Sequence, residues 1–204
     1  MSLDVSEIRD DLAYVRRLVG GGDGYPQSFG RAYFLAGAIY LAQMGLSAAL
    51  SVGWLPATPP VTLSVGFVPT AVFLVCLTVI LARAPRAGTG LATRAFGAFF
   101  GAMGLANVVL AVVVGWVAVR EKSFTTWLVF PCAVFVLQGA AWLAAAIMMR
   151  RAWMGLVTAV WIVSAGAMAA TIGSTPFYIL AAAGGLAFGM AAPGLWMMRR
   201  PAST

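Results

Sequence analysis

Four uncharged polar side chains, Gln43, Asn107, Gln138 and Ser164, are the best candidates for chemistry inside the apolar segments of this chain. Gln43 lies 12 residues after Arg31, Asn107 13 after Arg94, Ser164 13 after Arg151, and Gln138 12 before Arg150. If each arginine marks the same edge of a bilayer, a rise of about 1.5 Å per residue puts all four roughly 18–20 Å in, slightly past the midplane of a hydrocarbon core about 30 Å thick. A ring of three amides and a hydroxyl at that depth would bind a neutral polar solute or line a narrow hydrated path. Its competing use is as glue. Amides in membrane helices most often hydrogen-bond to a neighbouring helix, contributing about 0.6 kcal/mol on average.

The residues that are missing narrow the chemistry further. There is no histidine, so imidazole acid–base catalysis, histidine-ligated haem and histidine-type zinc sites are excluded. No apolar segment holds Asp, Glu, Lys or Arg in its interior, which removes the buried carboxylate of proton-coupled carriers, the Schiff-base lysine of retinal proteins and the paired acids of membrane proteases. The expectation is a protein that is not an enzyme and carries no cofactor or metal. The Pro-x-Asp/Glu-x-x-Lys/Arg signature of mitochondrial carriers is also absent, since Pro69 and Pro131 are followed by apolar residues.

The elements that position these side chains follow from composition. Sixty-two per cent of the 204 residues are hydrophobic and 9% charged, with a mean hydropathy of +0.93. A water-soluble domain with those proportions would expose a large apolar surface, so the partner is the lipid bilayer. Six stretches reach the roughly 20 apolar residues that a helical crossing needs: 32–52, 61–82, 95–118, 125–149, 152–172 and 176–198. Arg150 and Arg151 divide the fourth from the fifth, because each arginine at a bilayer centre costs about 2.5–3.5 kcal/mol and forces a turn. The fold class expected is all-α: a polytopic membrane protein of six transmembrane helices arranged as three helical hairpins, with a short N-terminal unit (1–24) ahead of the bundle (25–204).

Eleven of the thirteen basic residues fall before span one, between spans two and three, between four and five, or after span six. The positive-inside rule therefore puts both termini in the cytoplasm, and the arginine-rich composition suggests a bacterial inner membrane. The net charge of +7 is dispersed among helix ends with no basic stripe, which argues against nucleic acid as a partner. No cleavable signal sequence is visible, because the first apolar span follows thirty charged and glycine-rich residues. Within them, residues 3–19 place Ile8, Leu12, Val15 and Val19 at helical spacing, with Asp4 and Glu7 as a capping pair. This amphipathic helix, ended by the GGGDG linker at 20–24, either lies on the inner leaflet or docks a protein partner.

Internal resemblance suggests duplication. FVPTAVF at 67–73 returns as VFPCAVF at 129–135, and Arg-Ala-aromatic opens each odd-numbered span at Arg31-Ala32-Tyr33, Arg94-Ala95-Phe96 and Arg151-Ala152-Trp153. The proline motifs are 62 residues apart and the first two span starts 63 apart. Pro69, Pro131 and Pro193 would bend their helices. Gly97 and Gly101, and Ala181, Gly185 and Gly189, form small-residue faces suited to close helix packing. Trp54, Trp116 and Trp127 lie near the outer ends and Trp153 and Trp196 near the inner ends as interfacial anchors. Trp142 and Trp161 lie deeper, facing either core or lipid. Cys76 and Cys132 sit at different depths and are not expected to pair. Substrate and oligomeric state are not specified at this level.

Overall fold

A computed structural model describes residues 27–83 and 91–199; the N-terminal amphipathic segment and its linker lie outside them. The described residues are all helical, without strands, and six helices are long and apolar enough to cross a membrane. The chain is a multi-pass membrane protein. We number the helices α1 (Gln27–Ser51), α2 (Pro59–Ala82), α3 (Leu91–Glu121), α4 (Phe124–Met149), α5 (Ala152–Ala170) and α6 (Thr175–Leu186). The sixth span continues through a π-helical turn (Ala187–Ala191) into α7 (Ala192–Arg199).

Local chemistry explains the helix ends. Pro59 and Pro60 open α2, where a missing N–H does no harm. The Ser123 hydroxyl caps α4 by accepting from the Thr126 N–H at 3.2 Å. The turns before and after α4 are tight, and each places a basic residue in the left-handed region, Lys122 at φ 51° and Arg150 at φ 50°. Arg150 ends α4 with its N–H on the Ala146 carbonyl, and Arg151 is already the N-cap of α5. The adjacent arginines thus form the whole connection.

The helices pack in the order α2, α1, the sixth span, α5, α4, α3. The contact between α1 and the sixth span is the most extensive, that between α4 and α5 comes next, and no comparable contact joins α2 to α3 among the described residues, although they follow each other in sequence. Burial matches this open arc. The fourth and sixth spans supply much of the core, whereas α2 and α3 bury little and expose leucine, valine and phenylalanine to lipid. The largest fully buried side chains are Trp142, Trp161, Met154 and Met168.

Because lipid tails are as apolar as leucine, burying leucine between helices gains little; close van der Waals fit holds them instead. That fit is closest where α1 crosses the sixth span. A Cβ added at Gly37 would lie 2.6 Å from the Ala191 nitrogen, and one at Gly194 would lie 2.7 Å from the Phe34 Cα. Gly30 faces Met197 in the same seam. Gly185 and Gly189 serve the opposite side of the sixth span: a Cβ would meet Ser164 at 2.8 Å and the Trp161 ring at 2.9 Å, respectively, on α5. Ala181 packs against the same core. Gly97 and Gly101 are different: a Cβ added at either would meet nothing within 4 Å, so both open outward from α3.

The prolines differ in their surroundings. Pro69 and Pro131 lie within continuous α-helix. Pro193 follows the π turn, in which the Ala192 N–H bonds to the Ala187 carbonyl five residues back. The wider turn relieves the clash that a proline ring makes with the preceding turn. Along this span Gly185 and Gly189 face α5 while Ala191 and Gly194 face α1.

Candidate functional site

The polar interior gathers around one hydroxyl. Tyr33, two residues into the first Arg-Ala-aromatic motif, points from α1 into the bundle and is 5% exposed. Its hydroxyl accepts a 2.6 Å hydrogen bond from Trp142 Nε1 and donates at 3.2 Å to Gln138 Oε1. The two α4 residues are one helical turn apart and so present to the same side. From α5, the Trp161 indole faces the same tyrosine, but its Nε1 completes no hydrogen bond. Three helices, α1, α4 and α5, thus meet at Tyr33 through side chains that are almost wholly buried.

An aromatic shell encloses this knot toward the arginine-bearing end. Trp142 packs edge-on against Tyr33 (5.4 Å between centroids), Phe100 (5.8 Å) and Trp153 (5.5 Å), and Trp153 against Trp196 (4.4 Å). Phe29 stacks on Tyr33 at 5.3 Å. On the far side, Phe135 meets the Trp161 ring edge-on at 4.7 Å. Trp142 and Trp161 therefore belong to the core. Trp54 and Trp116 remain exposed, as membrane anchors would be.

The four polar residues do not form a hydrogen-bonded group. Gln138 belongs to the Tyr33 knot. Gln43 donates to the Gly66 carbonyl on α2 at 3.2 Å. Ser164 packs against Gly185, and the Asn107 Oδ1 is buried without a partner. No hydrogen bond joins any two of them. A common depth requires every arginine to lie at the same height, but α1 begins at Gln27, ahead of Arg31, whereas Arg151 caps α5 from outside. Tyr33 reaches Gln138, and Gln43 lies ten residues further along α1, about 15 Å at 1.5 Å per residue.

A replacement of Gln43 by leucine is consequently expected to be mild. It removes one side-chain bond to a carbonyl at the α1–α2 contact, with a loss of about 0.6 kcal/mol and no more than about 1.7 kcal/mol. Unfolding of purified protein in mixed micelles checks this, and a loss above about 3 kcal/mol, well outside the range for such bonds, would show that Gln43 holds more than α2.

Tyr33, Trp142 and Trp161 are the interior residues whose polar role is hardest to read in one dimension. Tyr33 has the look of an interfacial aromatic because it follows Arg31; the usable signal is the spacing of Gly30, Tyr33 and Gly37, which share a helix face. Both cysteines are free, Cys76 half-buried and Cys132 buried. Cys132 and Tyr178 both donate to the Leu128 carbonyl, at 3.4 and 2.9 Å, tying α4 to the sixth span. No family model, curated protein or solved structure matches the chain.

Proposed function

We propose that the protein is a non-enzymatic membrane component with a structural, accessory or sensory role. The observation that carries this reading is the use to which the interior polarity is put: Gln138 and Trp142 join α4 to α1 through Tyr33, and Gln43 joins α1 to α2. These contacts hold helices together, and the space between them is filled by Trp142 and Trp161. In this reading the chain consists of three hairpins of one ancestral kind in a bacterial inner membrane, with both termini cytoplasmic. The N-terminal segment (1–24) is its cytoplasmic arm, available to a protein partner or to the inner leaflet.

A second reading is a small transporter or channel for an uncharged polar solute. The observation that favours it is the Asn107 Oδ1, buried on α3 with no protein partner. Single cysteines at 43, 107, 138 and 164, in a background without Cys76 and Cys132, separate the two. The structural reading expects a small water-soluble thiol reagent to leave all four unmodified in folded protein. Labelling of several, with lipid-facing positions such as 105 and 112 silent, would replace it with the transport reading.

A further inference from the structure

The chain separates its charges. Five of its six acidic residues, Asp4, Glu7, Asp10, Asp11 and Asp23, precede α1. The sixth, Glu121, accepts from the Thr126 hydroxyl at 2.8 Å in the turn between α3 and α4. The opposite end of the bundle carries arginine alone among the described residues. Helices α1 and α2 run antiparallel, touching at Gln43–Gly66 and Tyr40–Phe73, so Arg31 lies across from Arg83. Gly30 abuts Met197, which brings Arg199 beside the same turn of α1. The Trp153–Trp196 ring contact sets Arg150 and Arg151 next to them. Four of these arginines are exposed and Arg151 is half-buried.

The residues ahead of α1 hold the missing counter-charge. At the helical spacing read for 3–19, Asp4, Glu7 and Asp11 share one side with Asp10 next to them. None of Arg9, Arg16 and Arg17 stands three or four residues from an acid, the separations at which helical side chains pair. Pairing along the segment therefore leaves the acids without a partner, and an anionic leaflet repels them. We infer that residues 3–19 dock on the arginine-bearing end of their own bundle, laying the carboxylates of Asp4, Glu7, Asp10 and Asp11 against its guanidiniums. Geometry permits this, because α1 begins at that end. The connecting residues 20–26 span up to roughly 25 Å at about 3.3–3.6 Å each, and helices in contact lie only about 8–10 Å apart. Tethering holds the arm at an effective concentration of about millimolar, and carboxylate–guanidinium contacts are charge-assisted. This docking rests on reading the N-terminal segment as an arm, and it names the surface that the arm occupies. It is independent of whether the interior conducts a solute.

The test is the distance between spin labels on Ser6→Cys and Met148→Cys in the full chain without Cys76 and Cys132, held as single copies in phosphatidylcholine nanodiscs. Met148 is exposed beside the Arg150 turn. One short, narrow distance peak is expected. It should be lost in the isosteric variant Asp4→Asn, Glu7→Gln, Asp10→Asn, Asp11→Asn, which leaves the bundle unaltered, and in Arg31→Gln with Arg199→Gln. A broad distribution in the otherwise unmodified chain overturns the docking and leaves the arm to a separate protein. A narrow peak that survives neutralisation of the four acids also overturns it, since the apolar face would then hold the arm. So does a peak that forms only after phosphatidylglycerol is added, which assigns the arm to the leaflet. Should the arginine pair not fold, the acid variant decides alone.

Discussion

Trp142→Ala is expected to destabilise the bundle by about 3–5 kcal/mol, the range for truncating a buried large aromatic. The side chain is fully buried and touches Tyr33, Phe100 and Trp153 on three other helices. In lipid the part of that cost due to transfer from water shrinks, but the lost dispersion contacts and the cavity remain. The tyrosine oxygen also loses the 2.6 Å bond that Trp142 donates. Trp142→Phe separates these contributions, because it keeps most of the ring while removing the N–H, and its loss should stay below about 1.7 kcal/mol. Trp116, 72% exposed near the far end of α3, is the control: its alanine variant should unfold at nearly the wild-type detergent fraction. Equal losses for Trp142→Ala and Trp116→Ala would overturn the assignment of Trp142 to the core.

Adding a single methyl at Gly194 should have the next largest effect. Its Cβ would fall 2.7 Å from the Phe34 Cα, well inside the roughly 3.5–4.0 Å at which carbon atoms attract. The obstacle is backbone, so no rotamer change relieves it, and α1 and α7 must separate. Overpacking of this kind costs about 1–3 kcal/mol and occasionally more, and here it also opens the neighbouring Gly37–Ala191 contact. Gly101→Ala makes the comparison informative. That position faces open space on α3, and alanine is favoured over glycine in a helix by up to about 1 kcal/mol. Unfolding in mixed micelles should therefore show Gly194→Ala destabilised and Gly101→Ala unchanged or slightly stabilised. The reverse order would mean that α1 and the sixth span do not cross at these glycines.

Much of the element map was legible without coordinates. The apolar stretch read at 125–149 is the helix Phe124–Met149, and the turn required at Arg150 and Arg151 falls there. The sixth span, read at 176–198, runs from Thr175 to Arg199. Its small-residue face toward α5 was visible as far as Gly189, but the contact on the other side of the span was not: Gly194, outside the four-residue pattern, meets the α1 backbone at Phe34 more closely. The ring at common depth depended on equal heights for all the arginines, and the helices start at unequal distances from them.

The sequence by itself determined the solvent and the number of crossings, because lipid imposes on every span the same demand for about 20 apolar residues and tolerates charge only at the ends. Tertiary structure decided which side of each helix faces inward and how the helices are offset along their axes. It thereby brought Tyr33 to Gln138 and Trp142, and sent Gln43 to α2. The reason is physical. In water a helix reveals its buried face by being apolar on one side. In a bilayer both the core and the surroundings are apolar, so the inward face is chosen by the fit of glycines against backbone and by the few polar atoms that must find partners, and both depend on the neighbouring helices.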